Sequence, residues 1–477
     1  MIVKIATLIS LTVSGRATLP AAVGGVAVVV GLLARVRPWI NGQYMSGDIM
    51  PLWPTEDSYT SDIALWSDQN GGSSNGYGGL VVLWLIRGIC VTLGLNSTVL
   101  DGLGYALPPA VGGAGVAQLL SVLGVGGRGV LVAACHYAFA LDWVLNNADA
   151  AQWARACAPW IAWGIICLNK HVTDPHRMRL AFVLAAFAVC YASASSANLP
   201  QTLVVFVCAF VWLVTRSGYD LAGALDRRRW VLAWLRVWGA FAVFVAGLGG
   251  WLLVWNAFIW IFPVIGVGGT SVSAPTGVAQ WGWTHGNASF GNLFAGLGFW
   301  GWQEGYYGLV YRVANSVPAR FVLSVPFAIA MCAQFIYRSP SVRIATLCLL
   351  LVMFLMKGIH EPFARINFWL HEYLPGMQLL REPIAKLSFL WLLFNSVLIA
   401  TALQSDGTVI LTRRLWRRLV FLLLWVSVIF SLMMSVREVK DAETFLIPKR
   451  WVAVPNEWHE LRAFVAQTSA HDLGRTI

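Results

Sequence analysis

The sequence predicts an all-α polytopic membrane protein with about eleven transmembrane helices (range 10–13) and long external loops. Of 477 residues, 58% are hydrophobic and only 12% are charged, about half the charged fraction of a soluble domain. The apolar residues also form blocks of roughly 17–20 residues, the length that a helix needs to cross about 30 Å of hydrocarbon. The clearest blocks are 17–33, 231–254, 320–336, 342–356, 387–403 and 419–436.

The basic residues predict the orientation. The net charge is +11, but Lys and Arg lie at the ends of apolar blocks rather than in a polar domain, so no nucleic-acid partner is expected. Basic residues mark the cytoplasmic ends of membrane helices. We therefore expect a multi-pass plasma-membrane protein with a cytoplasmic N-terminus and external loops at 36–78, 256–318 and 358–383. The transmembrane domain is assigned to 1–454, and 455–477 is an external tail that resembles the start of a truncated soluble domain.

Residues 79–169 present a topological conflict. An external start and a cytoplasmic finish require an odd number of crossings, yet this region contains four apolar segments, so one of them must fail to cross. We expect a broken or re-entrant backbone either at 102–115, which is rich in Gly and Pro, or in the segment containing Arg155. The four segments are 79–95, 105–124, 129–145 and 152–168.

The first external loop contains the densest group of acidic residues. Asp48 follows Gly47 shortly after the first apolar block, so its carboxylate should lie near the membrane surface, where a base could meet a lipid-linked substrate. Asp57 begins a short amphipathic segment suited to the interface and is a candidate substrate-binding residue. Most acidic residues in such loops are simply solvated. The carboxylates leave a divalent metal, Mg²⁺ or Mn²⁺, as an open alternative, and no other cofactor is expected.

The loop at 358–383 and the start of the next apolar block contain three candidate phosphate-binding cations. Arg365 and Arg381 are candidate clamps for a lipid phosphate, because a guanidinium group matches phosphate oxygens two at a time. Lys386 lies about one turn inside the next apolar block, where a charge is costly and is often functional. Glu382, next to Arg381, is a further candidate substrate-binding residue. The alternative is that Lys386, Arg381 and Glu382 pair locally or extend to the interface.

Two further residues join the candidate substrate site. His360 precedes Glu361, but no HExxH spacing is present, so no metal ligand is assigned. Glu304 lies in the aromatic-rich segment 281–308, whose indole rings suit either a carbohydrate surface or the membrane interface. The sequence leaves these two alternatives open.

Three charged residues occur inside apolar segments, namely Arg87, Asp142 and Arg155. We expect them to pair with one another or to face a cavity, because an isolated charge within a membrane is costly. A transporter would contain such charges as well. A transporter or flippase of lipid-linked glycans is therefore the alternative function.

Three motifs together resemble a known class of enzymes. They are GDIMPLW at 47–53, DSYTSDIALW at 57–66 and REPxxK at 381–386. The pattern resembles the GT-C class of integral membrane glycosyltransferases. Within that class it is most similar to the arabinofuranosyltransferase D-type membrane region of actinobacteria, and it also resembles YfhO-related membrane glycosyltransferases.

The resemblance implies a transferase of cell wall biogenesis. Such an enzyme moves a sugar, with arabinofuranose as a candidate, from a polyprenyl-phosphate donor to a cell-envelope glycan or lipid acceptor at the external face, among membrane lipids. In this class a carboxylate of the first external loop acts as the general base, and by position that role falls on Asp48. Independently of the resemblance, sugar transfer from a phosphate needs a base at the acceptor, which Asp48 would supply. It also needs cations at the leaving group, which Arg381 and Lys386 would supply.

Overall fold

The described residues of the computed structural model form a helical bundle. They are 43–45, 66–67, 73–74, 92, 97–145, 149–170, parts of 227–239, 285–299, 302–336, 339–374, 383–404, 414–440 and 450–452. The helices are α1 (Ser97–Val122), α2 (Arg128–Ala138), α3 (Asp142–Leu145), α4 (Asp149–Lys170), α5 (Phe290–Phe294), α6 (Glu304–Ala314), α7 (Val317–Ile336), α8 (Pro340–Met356), α9 (Ala364–Tyr373), α10 (Pro383–Leu403) and α11 (Arg414–Lys440).

The helical fold class is confirmed, and four strands of two or three residues accompany the helices. Strand β1 (Gln43–Met45) pairs antiparallel with β4 (Arg450–Val452), and β2 (Trp66–Ser67) pairs antiparallel with β3 (Ser73–Ser74). Peptide groups outside helices still need hydrogen-bond partners, and pairing of extended loop segments provides them. The β1–β4 pair joins the first predicted external loop to the segment that follows α11.

Part of the membrane prediction is confirmed. Among the described residues, three helical segments are long and apolar enough to cross a membrane: Val317–Phe335, Pro383–Leu403 and Arg418–Ser435. Helix α8 is also apolar but shorter. The total of about eleven spans, the cytoplasmic N-terminus and the domain boundaries stay predictions.

Helix α10 is the central helix of the described bundle. Every residue from Pro383 to Ala402 is buried, and the helix packs against α2, α7 and α8. A helix that is apolar on all sides is suited to such a position. Gly129 at the start of α2 lies close to Ala400, because a Cβ atom added to it would be 2.9 Å from the Ala400 carbonyl oxygen.

The two ends of α10 contact different parts of the chain. At its C-terminal end, Gln404 Nε2 donates a hydrogen bond to the Gly124 carbonyl oxygen (2.8 Å) in the turn between α1 and α2. At its N-terminal end, Ser388 contacts Asp142 of α3. The chain from α2 to α3 therefore runs antiparallel to α10.

A second hydrophobic cluster lies at the N-terminal end of α10. It joins Leu141, which precedes α3, to loop residues near 295–302, to α6 and to Met434 in the C-terminal part of α11. This end of the bundle contains α3, α6, Met434 and Pro383, the first residue of α10. Two of the three connections that the sequence predicts to be external therefore meet there, because the loop at 358–383 leads directly into Pro383.

The broken backbone expected at 102–115 or near Arg155 is wrong for both places. Both stretches lie in continuous helices of 26 and 22 residues, α1 and α4, which are about 39 and 33 Å long at 1.5 Å per residue. The expectation that one of the four segments does not cross the membrane stays a prediction. The α1 glycines serve close packing: a Cβ atom on Gly112 would be 2.7 Å from the Tyr137 ring.

Candidate functional site

A buried ion pair fixes the first turns of α10 around Lys386. Arg155 Nη1 lies 3.2 Å from Asp142 Oδ2, and Arg155 Nη2 donates to the Ala385 carbonyl oxygen at 3.1 Å. Ser388 Oγ donates to Asp142 Oδ2 at 2.8 Å. Ala385 and Ser388 stand on either side of Lys386 in sequence, and Lys386 is itself buried. We call Asp142, Arg155, Ala385 and Ser388 the α10 clamp.

Two aromatic residues of α2 and α3 support the clamp. Tyr137 Oη donates to the Arg155 carbonyl oxygen (2.8 Å), and Trp143 Nε1 donates to the Tyr137 carbonyl oxygen (2.6 Å). The two rings meet edge to face with centroids 5.9 Å apart. These contacts join α2, α3 and α4 into one unit around the ion pair.

The pairing predicted for Asp142 and Arg155 is confirmed, whereas Arg87 lies outside the described residues. Arg155 is only 1% exposed, and a buried charge of this kind needs a close partner. The two charged groups pair with each other and both contact α10. The clamp therefore has the properties of a structural anchor, and it gives no support to a transport path lined by these two residues.

A second polar cluster joins two of the predicted external loops. His360 Nε2 lies 2.7 Å from the His285 carbonyl oxygen, and Lys357 Nζ donates to the His360 carbonyl oxygen at 2.7 Å. Gly358, with a φ of 53°, contacts the His285 imidazole ring so closely that a Cβ atom would overlap it. We call His285, Lys357, Gly358 and His360 the loop clasp. His360, a predicted substrate-binding residue, thus connects the loops at 256–318 and 358–383.

Lys357 is a buried cation of the loop clasp, directly after the last residue of α8. Its ammonium group also lies over the Phe354 ring, 5.1 Å from the centroid. Burial lowers the pKa of Lys357, and the nearby Glu361 carboxylate acts in the opposite direction. No sequence pattern marked Lys357 as a site residue.

The other predicted site residues do not form one cluster in the described part of the chain. Arg365 is exposed on α9. Glu304 is exposed at the start of α6 and pairs with Arg312, also exposed, at 3.0 Å. The remaining candidates, Asp48, Asp57, Arg381 and Glu382, lie outside the described residues. The contact expected between Asp48 and Arg381 therefore stays a prediction.

The aromatic residues described in 281–308 pack into the protein. Trp302 and Tyr307 are buried, with ring centroids 5.2 Å apart, and Phe294 stacks on Phe327 of α7 at 4.6 Å. For Trp302 and Tyr307, both the carbohydrate-surface and the interface interpretation are wrong. Residue type alone could not distinguish these cases, because indole and phenol rings are used in all three settings.

No sequence pattern predicted that Ser388 or Tyr137 would contact the buried ion pair. Both lie in apolar segments without a motif, and only the charges of Asp142 and Arg155 pointed to a polar cluster nearby. Among the described residues, no group of three His, Cys, Asp or Glu side chains could hold a metal ion.

The chain is similar to solved structures of a mycobacterial arabinofuranosyltransferase. A structure of arabinofuranosyltransferase AftD from Mycobacteria matches with a TM-score of 0.59 and 17% identity, over 96% of this chain and 29% of AftD. A mutant of AftD from Mycobacteria (class 2) matches with a TM-score of 0.55 and 16% identity, over 96% of this chain and 30% of that one. No protein-family model matches the sequence, and no curated protein does.

The structural match with AftD tests the family resemblance that the three sequence motifs indicate. The chain spans about three tenths of the length of AftD, and at this level of identity the likeness is one of fold. The resemblance to the arabinofuranosyltransferase D-type membrane region is thereby confirmed as a shared fold. This chain therefore has the fold of the part of AftD that it covers.

Proposed function

We propose that this protein is a GT-C-like membrane glycosyltransferase that transfers a sugar from a polyprenyl-phosphate donor to a cell-envelope glycan or lipid acceptor. The observation that carries the proposal is the fold shared with AftD over 96% of the chain. Arabinofuranose is the first sugar to test, because AftD is named an arabinofuranosyltransferase.

The α10 clamp supports a role for Lys386 in binding the donor phosphate. Lys386 lies at the start of the central helix, and the contacts to Ala385 and Ser388 restrain the backbone on both sides of it. A cation in a fixed position stabilises negative charge on a leaving group more strongly than a mobile one, because no reorganisation is needed. Arg381, five residues earlier, would act on the same phosphate.

The chemical step assigns one role to each group. Asp48 removes the proton from the acceptor hydroxyl, whose oxygen forms a bond to the anomeric carbon of the sugar. The bond between that carbon and the phosphate oxygen breaks, and the polyprenyl phosphate leaves with its charge stabilised by Arg381 and Lys386. A metal ion is not required for this balance of charges.

The test uses the full-length protein in liposomes with a radiolabelled polyprenyl-phosphate sugar and a glycan acceptor. Wild-type protein should form a glycosidic product, and Asp48→Asn should reduce the rate by about 10²–10⁴-fold, the usual contribution of general base catalysis. Asp68→Asn, in the same predicted loop, is the matched control and should retain the wild-type rate. Product formation at the wild-type rate by Asp48→Asn would exclude Asp48 as the base.

The phosphate-binding residues are tested in the same assay. Lys386→Met and Arg381→Gln should raise the KM for the donor more than the KM for the acceptor, because both cations contact only the donor. Lys386→Arg should recover part of the loss, since the charge is kept. If the protein moves labelled donor across the bilayer without forming product, it is a flippase and the proposal is wrong.

A further inference from the structure

Helix α9 exposes several apolar side chains while it buries two polar ones. Asn367 and His371, four residues apart, are buried. By contrast, Ile366, Trp369 and Tyr373 are 49%, 56% and 62% exposed. A helix packed on a soluble protein would bury such an apolar stripe. The apolar stripe of α9 therefore faces the surroundings of the protein, beside the exposed charged residues Arg365 and Glu372.

The buried side attaches α9 to the end of α8. Asn367 Nδ2 donates to the Phe354 carbonyl oxygen at 2.6 Å and to the Gly358 carbonyl oxygen at 3.0 Å. These two bonds satisfy carbonyl groups at the C-terminal end of α8, which a helix leaves without partners. The orientation of α9 is thus fixed by its polar residues, and exposure of the apolar residues follows from it.

Helix α8, to which α9 is attached, also exposes apolar side chains. Leu347, Leu350 and Leu351 are all exposed, and Phe354, which lies one turn further along α8, accepts the bond from Asn367. Exposed leucines on an apolar helix of a membrane protein face lipid. Because this surface ends where α9 is attached, α9 lies at the level where the hydrocarbon gives way to headgroups.

We propose that α9 is an interfacial helix that lies on the bilayer surface, with Ile366, Trp369 and Tyr373 inserted among the lipids. Indole and phenol rings are stable at this depth, and such helices insert about 5–10 Å into the boundary between headgroups and acyl chains. The rings of Trp369 and Tyr373 are neighbours, with centroids 6.0 Å apart. Arg365, exposed on the same helix, would then meet lipid phosphates.

The test places the full-length protein in nanodiscs of phospholipids that carry a diazirine near the top of the acyl chain. After illumination, mass spectrometry should find lipid adducts on Ile366, Trp369 and Tyr373 at yields similar to those on Leu347 and Leu351. Adducts on α8 without adducts on α9 would overturn the proposal, and would indicate that α9 is covered by a protein partner or exposed to water.

A variant adds a second measurement. The pair Ile366→Glu and Trp369→Glu should lower adduct yield on Tyr373 at least several-fold while leaving the yield on Leu347 unchanged, because charged side chains avoid the acyl region. Unchanged labelling of Tyr373 in this variant would also contradict the proposal. Both readouts are independent of glycosyltransferase activity.

Discussion

The ion pair between Asp142 and Arg155 offers the sharpest test of the structure. Replacing Arg155 with Met removes the guanidinium group and leaves the Asp142 carboxylate buried, with the hydrogen bond from Ser388 still in place. Removal of one partner from a buried pair costs about 3–5 kcal/mol. The loss includes the hydrogen bond from Arg155 to the Ala385 carbonyl oxygen. We expect Asp142→Leu to cost a similar amount, because it leaves Arg155 charged and buried.

The double variant distinguishes an ion pair from two independent effects. Replacing both residues with apolar ones removes the buried charges together, and such replacements are often neutral or stabilising. The double variant should therefore be more stable than either single variant, with a coupling energy of roughly 3 kcal/mol or more, the upper end of what contacting residues show.

The measurement is the free energy of unfolding in mixed micelles, obtained by titration with SDS. The matched control is Arg312→Met, which breaks the Glu304–Arg312 pair at 3.0 Å between side chains that are 58% and 65% exposed. That change should cost no more than about 1 kcal/mol, since water screens exposed pairs. Additive losses for Asp142→Leu and Arg155→Met, within about 0.5 kcal/mol, would refute the assignment of a clamp.

Two further predictions concern the attachment of the loops. Gly358→Ala should lower the free energy of unfolding by more than about 1 kcal/mol, because Ala is strained at a φ of 53° and its Cβ atom would overlap the His285 ring. The control is Gly126→Ala, which has nothing within 4 Å of the added atom. It should change the free energy of unfolding, from the same SDS titration, by less than about 0.5 kcal/mol. Asn367→Ala should lower the free energy of unfolding by about 1–3 kcal/mol, because the carbonyl oxygens of Phe354 and Gly358 lose a common donor. It should also speed proteolysis between α8 and α9. A proteolysis rate equal to that of the wild type would show that these bonds do not hold α9.

The extent to which the site could be predicted differs from residue to residue. The charges of Asp142 and Arg155 stood out because charged residues are rare in apolar segments, so their pairing was predictable. Ser388 was not, since a serine in an apolar helix has no distinguishing pattern. His360 was predictable as a polar residue of an external loop, but its contact with the His285 carbonyl oxygen depends on two loops 75 positions apart in the chain.

The sequence by itself determined that this is a helical membrane protein and where several of its apolar helices lie, because the bilayer requires long uncharged segments. It also carried the motifs whose resemblance to the arabinofuranosyltransferase D-type region is confirmed as a shared fold. Only the tertiary structure decided that α1 is continuous, that Asn367 attaches α9 to the end of α8, and that the Asp142–Arg155 pair contacts α10 on both sides of Lys386. These features depend on contacts between distant segments, which local composition does not encode.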